Sequence, residues 1–237
     1  MQGVPRQVSR GDAPLSSGTK QPVWDLPVRL VHWLLAALIA FSWWSVHHHH
    51  TDWHIWSGCA ILTLLIFRLL WGFVGSSTAR WMSFVRGPAS VARHLRGKWN
   101  GIGHTPLGAL SVVAMYLAVA VQVGVGLVAE DEDGIYTGPL SGLVSIDTSD
   151  KARDVHELWF KAILGLIVLH IAAIIYYRLR GRKLTKPMIT GRAELEPGTE
   201  PMRPGKWWAA LICLAVGIGI TRWVIAGAPP FSHWSPS

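Results

Sequence analysis

The segment DVHELWFKAILGLIVLH, residues 154–170, becomes almost wholly apolar after its first turns and carries a histidine near each end. Over 155–177 it exceeds the roughly 20 helical residues that cross about 30 Å of hydrocarbon. Such a run is helical in lipid because its backbone groups must be satisfied within the segment. His156 and His170 lie fourteen residues apart. At 1.5 Å per residue that is about 21 Å along the axis, and fourteen steps of about 100° leave them only about 40° apart around it. One helix face therefore presents a histidine near each membrane surface.

Four further apolar runs of spanning length cover residues 28–46, 54–74, 106–129 and 207–228. The composition agrees: 237 residues, half of them hydrophobic and 15% charged, with fourteen tryptophans, is the profile of a bilayer protein. The net charge of +8 does not indicate nucleic-acid binding, because the basic residues are spread through the segments between apolar runs. Cys59 and Cys213 both lie inside apolar runs, and no CxxC or CxxCH occurs. A disulfide framework and covalent haem attachment are thereby excluded.

Charge sets an orientation. Arg6, Arg10 and Lys20 precede the first span; Arg80, Arg86, Arg93, Arg96 and Lys98 follow the second; Arg178, Arg180, Arg182, Lys183, Lys186, Arg192, Arg203 and Lys206 follow the fourth. The loop between spans one and two has no Lys or Arg, and the loop between three and four carries Glu130, Asp131, Glu132, Asp133, Asp147, Asp150 and Asp154 against Lys151 and Arg153. By the positive-inside rule the N-terminus is cytoplasmic and the C-terminus outside. Trp24, Trp43, Trp44, Trp53, Trp56, Trp71, Trp207 and Trp208 fall near span ends and are expected to form an interfacial belt.

With this orientation the histidines resolve by depth. His32 starts the outward-running first span and His170 ends the inward-running fourth, so both lie at the cytoplasmic level. His54 and His156 open spans two and four at the outer level. A bundle can bring His32 to His170 and His54 to His156 across its core. Two facing imidazoles suit the axial positions of one iron, which favours electron transfer over chemistry at an open site. Arg68 lies fourteen residues after His54 and is expected at the cytoplasmic level, either to neutralise a propionate or to snorkel to headgroups. Gly58 and Gly165 leave room for a flat macrocycle or for close helix packing.

Four stretches together resemble one family: VWDLPVRLVHW at 23–33, DWHIWSGCAILTLLIFRLLWG at 52–72, GHTPLGALSVVAMYL at 103–117 and DVHELWFKAILGLIVLH at 154–170. The chain resembles prokaryotic cytochromes b561 and the b-type cytochrome subunits of nickel-iron hydrogenases over residues 23–180. The resemblance implies an all-α integral membrane four-helix bundle holding two non-covalent, bis-histidine haems b on His32, His54, His156 and His170. It also implies transfer of electrons between the quinone pool and a redox partner, such as a periplasmic c-type cytochrome or a hydrogenase-like enzyme, in the bacterial cytoplasmic (inner) membrane. A quinone is a further candidate ligand, and an oligomer is left open.

His104 matches a family position but has no partner in depth; it is open to a propionate, a quinone site or simple helix entry. Gln122, deep in span three, is equally open. The run from His47 to His50 offers surface metal binding, a rival outer ligand in His50, or a solvated loop. Outside the bundle, the expected organisation is a disordered cytoplasmic tail over 1–22, a basic cytoplasmic linker over 181–206, a fifth transmembrane helix over 207–228 and an outer tail over 229–237. Gly217 and Gly219 permit that helix a close contact. Two other classes compete: a haem-free membrane anchor, and a metal transporter using the histidine run as an entry site. The transporter would need polar residues continuing through the spans, whereas away from the span ends the charged or amide residues are Arg68, Gln122, Lys161 and Arg222 besides histidine.

Overall fold

The computed structural model describes residues 20–84, 106–195 and 199–229. Seven α-helices occur among them: α1 (Leu26–His47), α2 (Thr51–Val74), α3 (Trp81–Phe84), α4 (Pro106–Gly126), α5 (Ile146–Leu179), α6 (Thr185–Thr190) and α7 (Trp207–Ile225). Five of them, α1, α2, α4, α5 and α7, are long and apolar enough to cross a membrane. The end where α1 begins is here termed the basic end and the opposite one the acidic end, after the charges of their loops.

Asp25 starts α1 as its N-cap: its side chain accepts from the Val28 N–H at 2.8 Å, and Pro27 follows inside the first turn, where a missing N–H costs nothing. The helix ends in a tight turn closed by the His50 N–H on the Ser45 carbonyl at 2.9 Å, with His49 in the left-handed region at φ 59°. α2 then returns along α1. It is the central element, packed against α1, α4 and α7. Ile61 and Leu65 meet Ala118, Val123 and Ile163 in one core, while Trp71 and Phe67 meet Val28, Val31 and Cys213 in another at the basic end.

The fifth span docks closely on α2. A Cβ added at Gly217 would stand 2.9 Å from the Thr63 carbonyl oxygen, so glycine is what lets the backbones approach. Thr63 donates to Thr221 Oγ1 at 2.8 Å in the same seam. Gly219 has no such neighbour.

The fourth spanning helix, α5, begins at Ile146, nine residues before the apolar run. Polarity marks where a span meets water, not where a helix starts, and Asp147 in the first turn favours the helix N-terminus. Ser149 anchors this extension by donating to the Val128 carbonyl at 2.7 Å.

The ends of the bundle depart further from the sequence expectation. Lys20–Pro22, placed in a disordered tail, form a strand β1 that pairs antiparallel with β2 (Arg192–Glu194), Gln21 opposite Ala193. Of the segment 181–206, expected as a linker, residues 181–195 and 199–206 fold back over the basic end. The N–H groups of Val23 and Trp24 donate to the Gly191 carbonyl, Met202 N–H donates to Pro22, and Ser77 exchanges hydrogen bonds with Arg203. Apolar-run analysis does not see this cap, because its glue is main-chain hydrogen bonding. Two tryptophans also leave the expected belt: Trp24 and Trp71 are buried in the cap's core, whereas Trp43, Trp44, Trp53, Trp56, Trp207 and Trp208 are exposed as a belt requires.

Candidate functional site

The bundle brings the four spanning histidines together in two pairs, one at each end. At the acidic end the rings of His54 and His156 have centroids 5.8 Å apart and planes at 83°. At the basic end His32 and His170 are 6.5 Å apart at 50°. Two imidazoles held on opposite sides of one metal at about 2 Å per metal–nitrogen bond have centroids about 6 Å apart. Both pairs stand close to that separation.

At the acidic end the orientation of both rings is fixed by the backbone. His54 Nδ1 lies 3.0 Å from the Ser42 carbonyl oxygen and 3.0 Å from Ser42 Oγ. His156 Nδ1 lies 3.0 Å from the Gln122 carbonyl oxygen, and Gln122 Nε2 donates back to the His156 carbonyl at 3.0 Å. A carbonyl only accepts, so Nδ1 carries the proton in both rings and Nε2 keeps the free lone pair a metal requires. Gln122 thus has a role the sequence left open: it clamps α4 to the turn of α5 that carries His156. Gly126 completes the clamp, since a Cβ there would meet His156 Cε1 at 2.7 Å. No residue spacing points to Gly126, because its neighbour comes from another helix.

At the basic end His32 stands edge-on to Trp33, centroids 4.9 Å apart. Its Nδ1 is buried without a hydrogen-bond partner among the described residues. Arg68 turns inward rather than out to the headgroups: it is 7% exposed, with its guanidinium 4.3 Å from the Trp81 ring centre. That ring-stacked cation is buried in the basic-end half of the bundle.

Gly58 has no atom within 4 Å of an added Cβ and sits about 40° around α2 from His54 by helical phase, so the ligand-bearing face is open there. Gly165 differs from expectation. It is exposed and lines a groove of about 590 Å³ with Leu117, Val121 and Trp159, away from the histidine face. Nine residues from His156 is a half-turn in phase.

His50 is not turned toward His156; its ring stacks on Trp53 at 4.4 Å. His47 and His48 bond the Trp43 and Trp44 carbonyls through Nδ1. Among the described residues no group of three or more His, Cys, Asp or Glu is arranged to hold a metal ion. Lys161 and Arg222 are exposed on the surface. His104 lies outside the described residues.

The acidic loop is itself structured. Asp131 Oδ1 accepts from the Tyr136 N–H at 3.0 Å, and Arg153 is held by Asp150 at 3.3 Å and Asp154 at 3.8 Å. Glu132 and Asp133 stay exposed. The loop therefore keeps Arg153 engaged internally, leaves Lys151 exposed, and presents carboxylates outward.

No curated protein and no solved structure matches the chain. The family model for prokaryotic cytochrome b561 matches residues 23–191, which takes in the first four spanning helices, three of them bearing the histidine pairs, and the first part of the cap. The chain is a multi-span membrane protein of the prokaryotic cytochrome b561 family, whose members are b-type electron-transfer cytochromes.

Proposed function

We propose that the protein is a dihaem b-type cytochrome that carries electrons between the quinone pool and a redox partner, either a periplasmic c-type cytochrome or a hydrogenase-like enzyme. The observation that carries this reading is the meeting of four histidines as two ring pairs, at 5.8 and 6.5 Å, at opposite ends of one bundle. His32 with His170 would hold one haem, and His54 with His156 the other. A haem with imidazole at both axial positions supplies one-electron chemistry without an open coordination site.

The remaining residues fit around these groups. Arg68 would meet a propionate at the basic end, where its buried charge gains a partner of opposite sign. The open face at Gly58 leaves a macrocycle room beside His54. By charge, the basic end is cytoplasmic, so the N-terminus is inside, the C-terminus outside and the acidic loop periplasmic, in the inner membrane. Exposed Glu132 and Asp133 would then steer a basic soluble partner. His104 remains a candidate for a propionate or quinone contact.

The test is a dithionite-reduced minus air-oxidised spectrum of the purified full chain, with pyridine haemochrome quantitation, on wild type, His156→Ala and His170→Ala. Two haems b in the wild type, with each substitution losing mainly one, is the expected result. A folded wild-type protein without haem would leave the anchor and transporter readings.

A further inference from the structure

The two histidine pairs are not built alike. Both imidazoles at the acidic end donate Nδ1–H to a main-chain carbonyl, Ser42 for His54 and Gln122 for His156, and Ser42 Oγ adds a second contact. At the basic end His32 Nδ1 is buried without any acceptor among the described residues, and His170 makes no hydrogen bond there. A ligand imidazole that donates its distal N–H to an acceptor gains electron density and becomes a stronger base toward the metal. Stronger donation favours the ferric over the ferrous ion and lowers the reduction potential.

The surrounding charge acts in the same sense. The acidic end carries the carboxylates of residues 130–154, whereas the basic end buries the Arg68 guanidinium. A nearby cation opposes the extra positive charge of ferric iron and so raises the potential. Hydrogen bonding and charge therefore separate the two centres in one direction.

Resting on the dihaem reading, we infer that Ser42 and Gln122, as positioning residues acting through the ligand imidazoles, tune the acidic-end pair to hold the haem of lower potential. One electron passing from the acidic-end iron to the basic-end iron oxidises the first and reduces the second. That direction is downhill, toward the side on which α1 begins.

The experiment is an optically monitored potentiometric titration of the purified, haem-loaded full chain. Wild type should show two one-electron transitions. His170→Met assigns them: methionine ligation raises the potential of the basic-end haem, or the haem is lost, and either way the transition left in place belongs to the acidic end. That transition should be the lower one. Ser42→Ala should move it upward while the other stays, and Ser42→Thr should restore it. A single shared transition, the reverse order, or no shift in Ser42→Ala with both haems retained overturns the tuning alone. A protein that binds no haem overturns the dihaem reading first, and the tuning with it.

Discussion

Trp71 donates its indole N–H to Asp25 Oδ2 at 2.9 Å while Asp25 Oδ1 caps α1, so one buried carboxylate joins the last turns of α2 to the first turn of α1. Trp71 is 1% exposed. Asp25→Ala removes both bonds and leaves the indole N–H unpaired, at a cost of about 2–4 kcal/mol from the cap and the buried donor together. Thermal unfolding in detergent should show a clear loss of stability. An unchanged transition would mean that the capping geometry contributes nothing in the intact chain.

Gly126 and Gly124 form a matched pair for testing the acidic-end site. A side chain at Gly126 must displace His156, whereas one at Gly124 meets nothing within 4 Å. Gly126→Val is expected to weaken haem binding at that end by roughly the 10–100-fold seen when a ligand's supporting contacts are lost. Gly124→Val should bind as wild type does. Haem titration into the apoprotein measures both.

Gly58 separates room for a cofactor from room for packing. A Cβ added there meets no atom within 4 Å, so Gly58→Leu should leave the stability of the apoprotein within about 0.5 kcal/mol of wild type. Haem content should nonetheless fall. If haem content holds, the open face beside His54 is not where a macrocycle lies.

Thr63→Val removes the hydrogen bond to Thr221 but keeps the shape, and should cost only about 0.6 kcal/mol, the average for such bonds between membrane helices. Gly217→Leu, by contrast, must part α7 from α2 because the Thr63 carbonyl is only 2.9 Å from the added carbon. Protease accessibility of the segment around Arg203 should rise in Gly217→Leu and stay low in Thr63→Val.

Much of this architecture could be read from the chain itself. Run lengths gave the five spanning helices, and the rise per residue was enough to match His32 with His170 and His54 with His156, since depth in a membrane is nearly a one-dimensional coordinate. What escaped was lateral or main-chain in character. Gly126 serves a histidine on another helix, Gln122 bonds through its backbone as well as its side chain, and Trp24 and Trp71 look like belt residues until their neighbours are known. Of the two roles open to Gly165, room for a macrocycle beside His156 could be set aside from the sequence, because helical phase alone turns it away from His156. The cap formed by residues 181–195 and 199–206 left no hydropathy signal, being held largely by main-chain carbonyls and N–H groups.

That cap bears on how the molecule is made. Synthesis proceeds from the N-terminus, so His32 and His54 enter the membrane well before His170 and His156 exist to face them. The segment that ties Pro22, Val23 and Trp24 to Gly191 and Met202 emerges later still. Closure at the basic end is therefore among the last events of biogenesis. Until then no hydrogen bond of the cap ties the start of α1 to the segment after α5. Afterwards the chain's own late-made segment fastens that end.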